Sequence, residues 1–141
     1  MYNIPSIDEL NLLTKGTMME ALGIIFTYAD INCVCGEMPV DNRTKQPFGI
    51  VHGGAFMALA ETLGSAATMI ATDMTTFNVV GLEMKGNYLK SVGSGKVHGK
   101  ATPVHKGKLT QLWNVDMTDD AGNLVATCRI TNIILEKKSN D

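Results

Sequence analysis

The residues best suited to chemistry lie in one stretch, Gln46-Pro47-Phe48-Gly49-Ile50-Val51-His52-Gly53-Gly54-Ala55, followed by Glu61. Two glycines stand where a polar loop runs into a series of strong helix formers. Glycine there lets a ligand approach the backbone closely. The first turn of a helix offers unpaired N–H groups and the positive end of the dipole. That combination suits a developing oxyanion, such as a thioester carbonyl under attack. Gln46 adds a side-chain N–H donor. His52, at the helix entrance, is placed to donate to a carbonyl or a leaving thiolate. Glu61 supplies a carboxylate in an otherwise apolar segment, where it is costly unless paired or used. It is competent as a general base on water or as a direct nucleophile. Ser65, one turn later on the same face, is placed to orient that water. Each feature also has an ordinary explanation. HGG makes a good helix cap, and a buried carboxylate can be satisfied by hydroxyls. Composition and periodicity alone end at a carboxylate facing an anion-friendly helix end.

The element that positions these groups is a helix expected from Gly54 to Thr72. It is apolar almost all round, the pattern of a buried helix. Ala55, Ala58, Ala60, Gly64, Ala66 and Ala67 are small enough for a sheet to pack closely. Glu61, Ser65, Thr68 and Thr72 fall at i, i+4, i+7 and i+11, one narrow polar stripe. The expected cavity-lining residues are Met57, Leu59, Leu63, Met69 and Phe77.

Upstream, residues 6–21 predict two short helical pieces, with Ser6 or Asp8 near a cap and Gly23 near a stop. Residues 24–39 are rich in β-branched and aromatic residues and predict one or two strands. Downstream, Val80, Leu82 and Met84, then Val97, Gly99 and Ala101, then Trp113, Val115 and Met117 alternate with more polar residues. A last strand is expected from about Leu124 to Leu135. Turn chemistry at 92–95, 105–108 and 119–123 separates these strands. One helix wrapped by a curved antiparallel sheet is an α+β architecture, expected to occupy residues 1–141 as a single domain.

Composition excludes several classes. The chain is 45% hydrophobic and 18% charged with net charge −2, which points to a globular protein without the basic stripe nucleic acid requires. The N-terminal MYNIPSIDEL has no basic region leading into an apolar run, so a cytoplasmic location without a signal peptide is expected. No stretch reads as a membrane span. Cys33, Cys35 and Cys128 make no CxxC, and His52, His98 and His105 have no metal-ligand spacing; no metal is expected.

At FGIVHGGAFMALAETLGS the chain resembles the hotdog-fold acyl-CoA thioesterases. The likeness is greatest to the branch holding Arthrobacter-type hydroxybenzoyl-CoA thioesterase, dihydroxynaphthoyl-CoA hydrolase and the phenylacetate-degradation thioesterase. VVGLEMKGNYLKSV, GKVHGKATPVHKGKLTQLWNV and DDAGNLVATCRITNIIL extend it, in order, over roughly residues 24–136. The resemblance implies a hotdog fold and hydrolysis of an acyl- or aroyl-CoA, with coenzyme A part of the substrate and no cofactor. It implies Glu61 as the catalytic carboxylate and Gly53 as the N–H that polarises the carbonyl. Gln46 and His52 would assist carbonyl and thiol, and Ser65 would help hold water. Tyr88 departs from the histidine of some relatives. For the phosphates of coenzyme A the candidates are Lys90, Ser91, His105, Lys106 and Gly107, with Lys108 nearby. Relatives build their sites between subunits, so a homodimer with shared sites, assembled into a homotetramer, is implied. Two alternatives stay open: a hydroxyacyl-thioester dehydratase and a non-catalytic acyl-CoA-binding protein, both on the same fold.

Overall fold

A computed structural model describes residues 4–138. Ser6 caps α1 (Ile7–Leu13): its hydroxyl accepts from Glu9 N, and Glu9 returns a bond to the Ser6 N–H. Those bonds hold the Glu9 carboxyl below its usual range. Thr17 caps the one-turn α2 (Met18–Ala21), and Gly23, at φ 71°, turns the chain out of it. β1 (Ile25–Ala29) and β2 (Val34–Pro39) form a hairpin. A loop then leads to α3 (Gly53–Ile70). β3 (Phe77–Tyr88), β4 (Lys96–Lys106), β5 (Thr110–Thr118) and β6 (Leu124–Glu136) follow. The expected helix and strands are all present, each within a few residues of its predicted ends.

The six strands form one antiparallel sheet in the order β1-β2-β4-β5-β6-β3. It curves round α3, which touches β2, β3, β4, β5 and β6. The approach is close because of glycines on both layers. A Cβ at Gly64 of α3 would collide with Ile130 of β6. A Cβ at Gly99 of β4 would lie 2.5 Å from Leu63 of α3. Leu59, Leu63, Val97, Trp113, Val115 and Met117 are fully buried between the layers. Each such aliphatic side chain contributes about 1.5–3 kcal/mol.

Two expectations fail in detail. Val80 and Leu82 are 49% and 60% exposed, although alternation placed them inward. β3 is an edge strand with a bulge between Gly81 and Glu83, and Leu82 is the residue the bulge leaves unpaired. Bulges are common on edge strands and reset the alternation. The second failure concerns α3. Ten of its residues are buried, but Glu61 is exposed. The sheet covers only part of the helix surface: Thr68 of the polar stripe is buried against β6, while Glu61 stands at the margin, beside Gly81 of the edge strand β3.

The two sheet edges differ. The Asn11 side chain from α1 donates to Phe26 O (3.0 Å) and accepts from Phe26 N (2.8 Å), so α1 occupies the β1 edge. The β3 edge pairs only with β6 among the described residues.

Candidate active site

The loop before α3 is folded back on itself. Asp41 accepts from the Arg43 guanidinium and backbone N–H, which pull its carboxyl down to about 2. Lys45 bridges to Val51, Gln46 N–H donates to Ile50 O at 2.9 Å, and His52 N–H donates to Thr44 O at 2.8 Å. Gln46 and His52 are thereby held on one small hairpin. Gln46 Oε1 accepts from the Phe48 N–H. With its oxygen so engaged, the amide NH₂ is left as the outward donor.

His52 is the N-cap of α3, and its Nδ1 accepts from Gly54 N–H at 2.8 Å. An accepting Nδ1 puts the neutral ring's proton on Nε2, which becomes the donor available to a ligand. The Ala55 N–H goes to His52 O at 2.9 Å. The Gly53 N–H has no acceptor among the described residues. It is one of the orphan donors that a helix start always leaves. The Tyr88 ring lies over it: a Cβ on Gly53 would be 3.0 Å from Tyr88 Cζ and 3.1 Å from the hydroxyl. Tyr88 also stacks on Phe56 of α3, with ring centroids 5.9 Å apart.

Glu61 and Ser65 border a cavity of about 960 Å³ between α3 and the two N-terminal helices. Leu13, Met18, Met19, Phe26, Met69 and Met74 give it apolar walls. Of the five residues expected to line it, Met69 does so. Leu59 and Leu63 point into the core, Met57 packs at Cys128, and Phe77, at the start of β3, does not border the cavity. Along its middle the helix turns Leu59 and Leu63 toward the sheet, leaving Ala58, Glu61, Thr62, Ser65 and Ala66 on the cavity side, with Met69 and Ile70 closing the end. On its other flank Glu61 borders a smaller space of about 160 Å³ with Gly81, Leu82 and Met84. A Cβ at Gly81 would lie 3.1 Å from Glu61 Oε1.

Two residues at the site escaped sequence reasoning, Asn132 and Gly81; Tyr88 is legible there only as a departure from the histidine of some relatives, and its place over Gly53 comes from the fold. Asn132 on β6 is fully buried and reaches α3, with Oδ1 3.5 Å from Ser65 Oγ. One signal was available: an asparagine inside the apolar run ITNIIL requires an explanation.

The phosphate candidates do not converge within one chain. Lys90 N–H bonds Val125 O at the start of β6, and its ammonium lies 3.5 Å from Asp119. Lys106 pairs with Gln111, which pairs with Asn132. Seven residues of strand, about 23 Å, separate those levels. The Lys106 ammonium donates to Ile31 O (3.1 Å) and Asn32 Oδ1 (2.6 Å). Ser91 is exposed beside Lys90, while Gly107 packs against His105 at the β4–β5 turn. Among the described residues no helix is long and apolar enough to cross a membrane, and no group of three ligating side chains is placed to hold a metal.

Residues 48–126 match the family model of the thioesterase superfamily. The chain is 44% identical over 130 residues to the proofreading thioesterase EntH of Klebsiella pneumoniae, covering 92% of this chain and 94% of that one. It superimposes on a variant of thioesterase PA1618 from Pseudomonas aeruginosa with a TM-score of 0.93, at 36% identity, covering 96% and 97% of the two chains. Thioesterase HI1161 from Haemophilus influenzae gives a TM-score of 0.94 at 34% identity, covering 99% and 96%. With the helix, the wrapped sheet and these relatives in agreement, the chain belongs to the thioesterase superfamily, has the hotdog fold and is a thioester hydrolase.

Proposed function

We propose that the thioester is an acyl- or aroyl-CoA, cleaved to free acid and coenzyme A in sites shared by two copies of the chain. The carrying observation is the position of Glu61 and Ser65 on the rim of the apolar cavity. An apolar acyl or aryl group fits such walls, and methionines at Met18, Met19, Met69 and Met74 adapt to its shape. Glu61 acts as general base. It takes a proton from water, whose oxygen bonds to the carbonyl carbon. The carbon–sulfur bond then breaks, and the protonated thiol of coenzyme A leaves.

The carbonyl oxygen is received by the Gly53 N–H of the second copy, with the Gln46 amide and His52 Nε2–H beside it. The unpaired β3 edge, carrying exposed Val80 and Leu82, supports pairing of two chains there. Pairs of such dimers form the homotetramer of this reading. Across chains, Lys90 with Ser91 and the His105–Lys106–Gly107 turn are brought toward one set of phosphates. The enzyme works in the cytoplasm and needs no cofactor. The test is a panel of CoA thioesters, from short alkyl to naphthoyl, with free thiol as the readout. Thiol release from apolar acyl or aryl thioesters is expected; none from any member of the panel overturns the reading.

A further inference from the structure

Asn132 is fully buried in β6, outside the stretch that the family model matches. A buried amide persists where its donors and acceptors are met. Its Nδ2 donates to Gly64 O at 3.2 Å and to Thr68 Oγ1 at 2.8 Å. The Thr68 hydroxyl places its one hydrogen on Gly64 O, 3.1 Å away, so toward Asn132 it can only accept. Turning the amide round would set Oδ1 against the Gly64 carbonyl oxygen. Its orientation is therefore determined, and Oδ1 faces Ser65 Oγ at 3.5 Å.

Hydroxyls inside helices usually bond back to the carbonyl four residues earlier. Thr62, Thr68 and Thr72 do so, on Ala58, Gly64 and Thr68. Ser65 instead reaches across to the sheet. The contact is long, so its value lies in direction more than in strength. With its hydrogen directed at Asn132, Ser65 Oγ is left as an acceptor. Gly81 is the strand partner of Asn132. A Cβ there would stand 3.1 Å from Glu61 Oε1 and 3.9 Å from Asn132 Oδ1, so both oxygens border the space above Gly81.

We infer that Asn132 is a positioning residue: it turns the Ser65 hydroxyl so that Ser65 Oγ accepts one hydrogen of the water whose other hydrogen Glu61 removes. Asn132 touches no reacting atom and acts through Ser65. The inference rests on the proposed role of Glu61. A structural role alone would lower stability and would cut activity whether or not Ser65 is present.

The experiment is a double-mutant cycle on one thioester that the wild type hydrolyses. Ser65→Ala and Asn132→Ala should each lower kcat roughly tenfold, with KM changed less than about twofold. The double variant should lose roughly tenfold, not a hundredfold, because the second change removes an arrangement already lost. Thr68→Val gives the same reading if Asn132→Ala does not fold. It removes one anchor of the amide and should lower kcat only where Ser65 is present. Multiplicative losses overturn the inference, as do wild-type kcat in Asn132→Ala or a loss confined to KM. A wild type that releases no thiol from any thioester overturns the Glu61 reading and this one with it. An active wild type with multiplicative losses overturns this one alone.

Discussion

Gly53 opens α3 and Glu61 stands eight positions later on the same helix (61 − 53). At 1.5 Å per residue they are about 12 Å apart along the axis. A carbonyl held on the Gly53 N–H is out of reach of Glu61 in its own chain, since attack needs reacting atoms about 3–3.5 Å apart. In the proposed dimer, two antiparallel copies about a two-fold axis would bring Gly53 of each to Glu61 of the other, giving two identical composite sites.

This relationship predicts complementation. Glu61→Ala and Gln46→Ala subunits, each nearly inactive, are mixed under conditions that exchange chains. About half the dimers are then mixed, each with one intact site of two. Activity should recover to roughly a quarter of wild type. No recovery, once exchange is shown by mass or label, would require Glu61 to serve its own chain.

Glu61→Gln keeps the shape and removes the charge. The expected fall in kcat is about a hundredfold or more. Because Glu61 is exposed in the chain, thermal unfolding should move little. A variant with most of its kcat would sink the general-base role.

The two lysines should behave differently. Lys90 meets Asp119 only at 3.5 Å, with half its side chain exposed. Lys90→Ala should raise KM for CoA thioesters at constant kcat. The rise should shrink with added salt, since exposed charges are screened beyond about 8 Å. Lys106 ties β4 to the β1–β2 turn, so Lys106→Ala should also lower Tm slightly. Unchanged KM in both variants would move the phosphate site elsewhere.

Gly64→Ala sets propensity against packing. In an open helix the change stabilises by up to about 1 kcal/mol. Here the new methyl would collide with Ile130, and overpacking costs about 1–3 kcal/mol. Net destabilisation is expected in denaturant titration; a more stable variant would show that the helix and sheet have room to part.

Thiol labelling gives a pH test. Burial pushes the Cys128 thiol up to about 11. Burial first, and then the Cys33 thiol, push Cys35 up to about 11. A raised pKa leaves less thiolate, about one part in a thousand at pH 8, and thiolate is the reactive form. Alkylation of native Cys35 and Cys128 should be slow at pH 8 and accelerate as pH rises toward 11. Fast labelling of Cys128 at pH 8 without unfolding would refute its buried setting.

Local chemistry made much of this protein legible in its sequence. Ser6, with Asp8 as the alternative, is legible near a helix cap and Gly23 near a stop; the structure chose Ser6 and closed the box with Glu9. The alternation of Trp113, Val115 and Met117 marks a half-buried strand, because strand period and burial are both properties of neighbouring residues. His52-Gly53-Gly54 marks a helix start, and the lone carboxylate of Glu61 marks a candidate site. The tertiary structure decided what depends on residues far apart in the chain. Alternation could not reveal that β3 ends the sheet and is bulged, so Val80 and Leu82 face outward; edge position is a property of strand order. The exposure of Glu61 depends on how much of α3 the sheet covers. The outer walls of the cavity come from α1 and α2 with Phe26 and Met74, whose packing on α3 no local pattern encodes. Asn132 meets Ser65 across 67 positions of sequence, and that contact exists only because Gly64 lets β6 approach the helix.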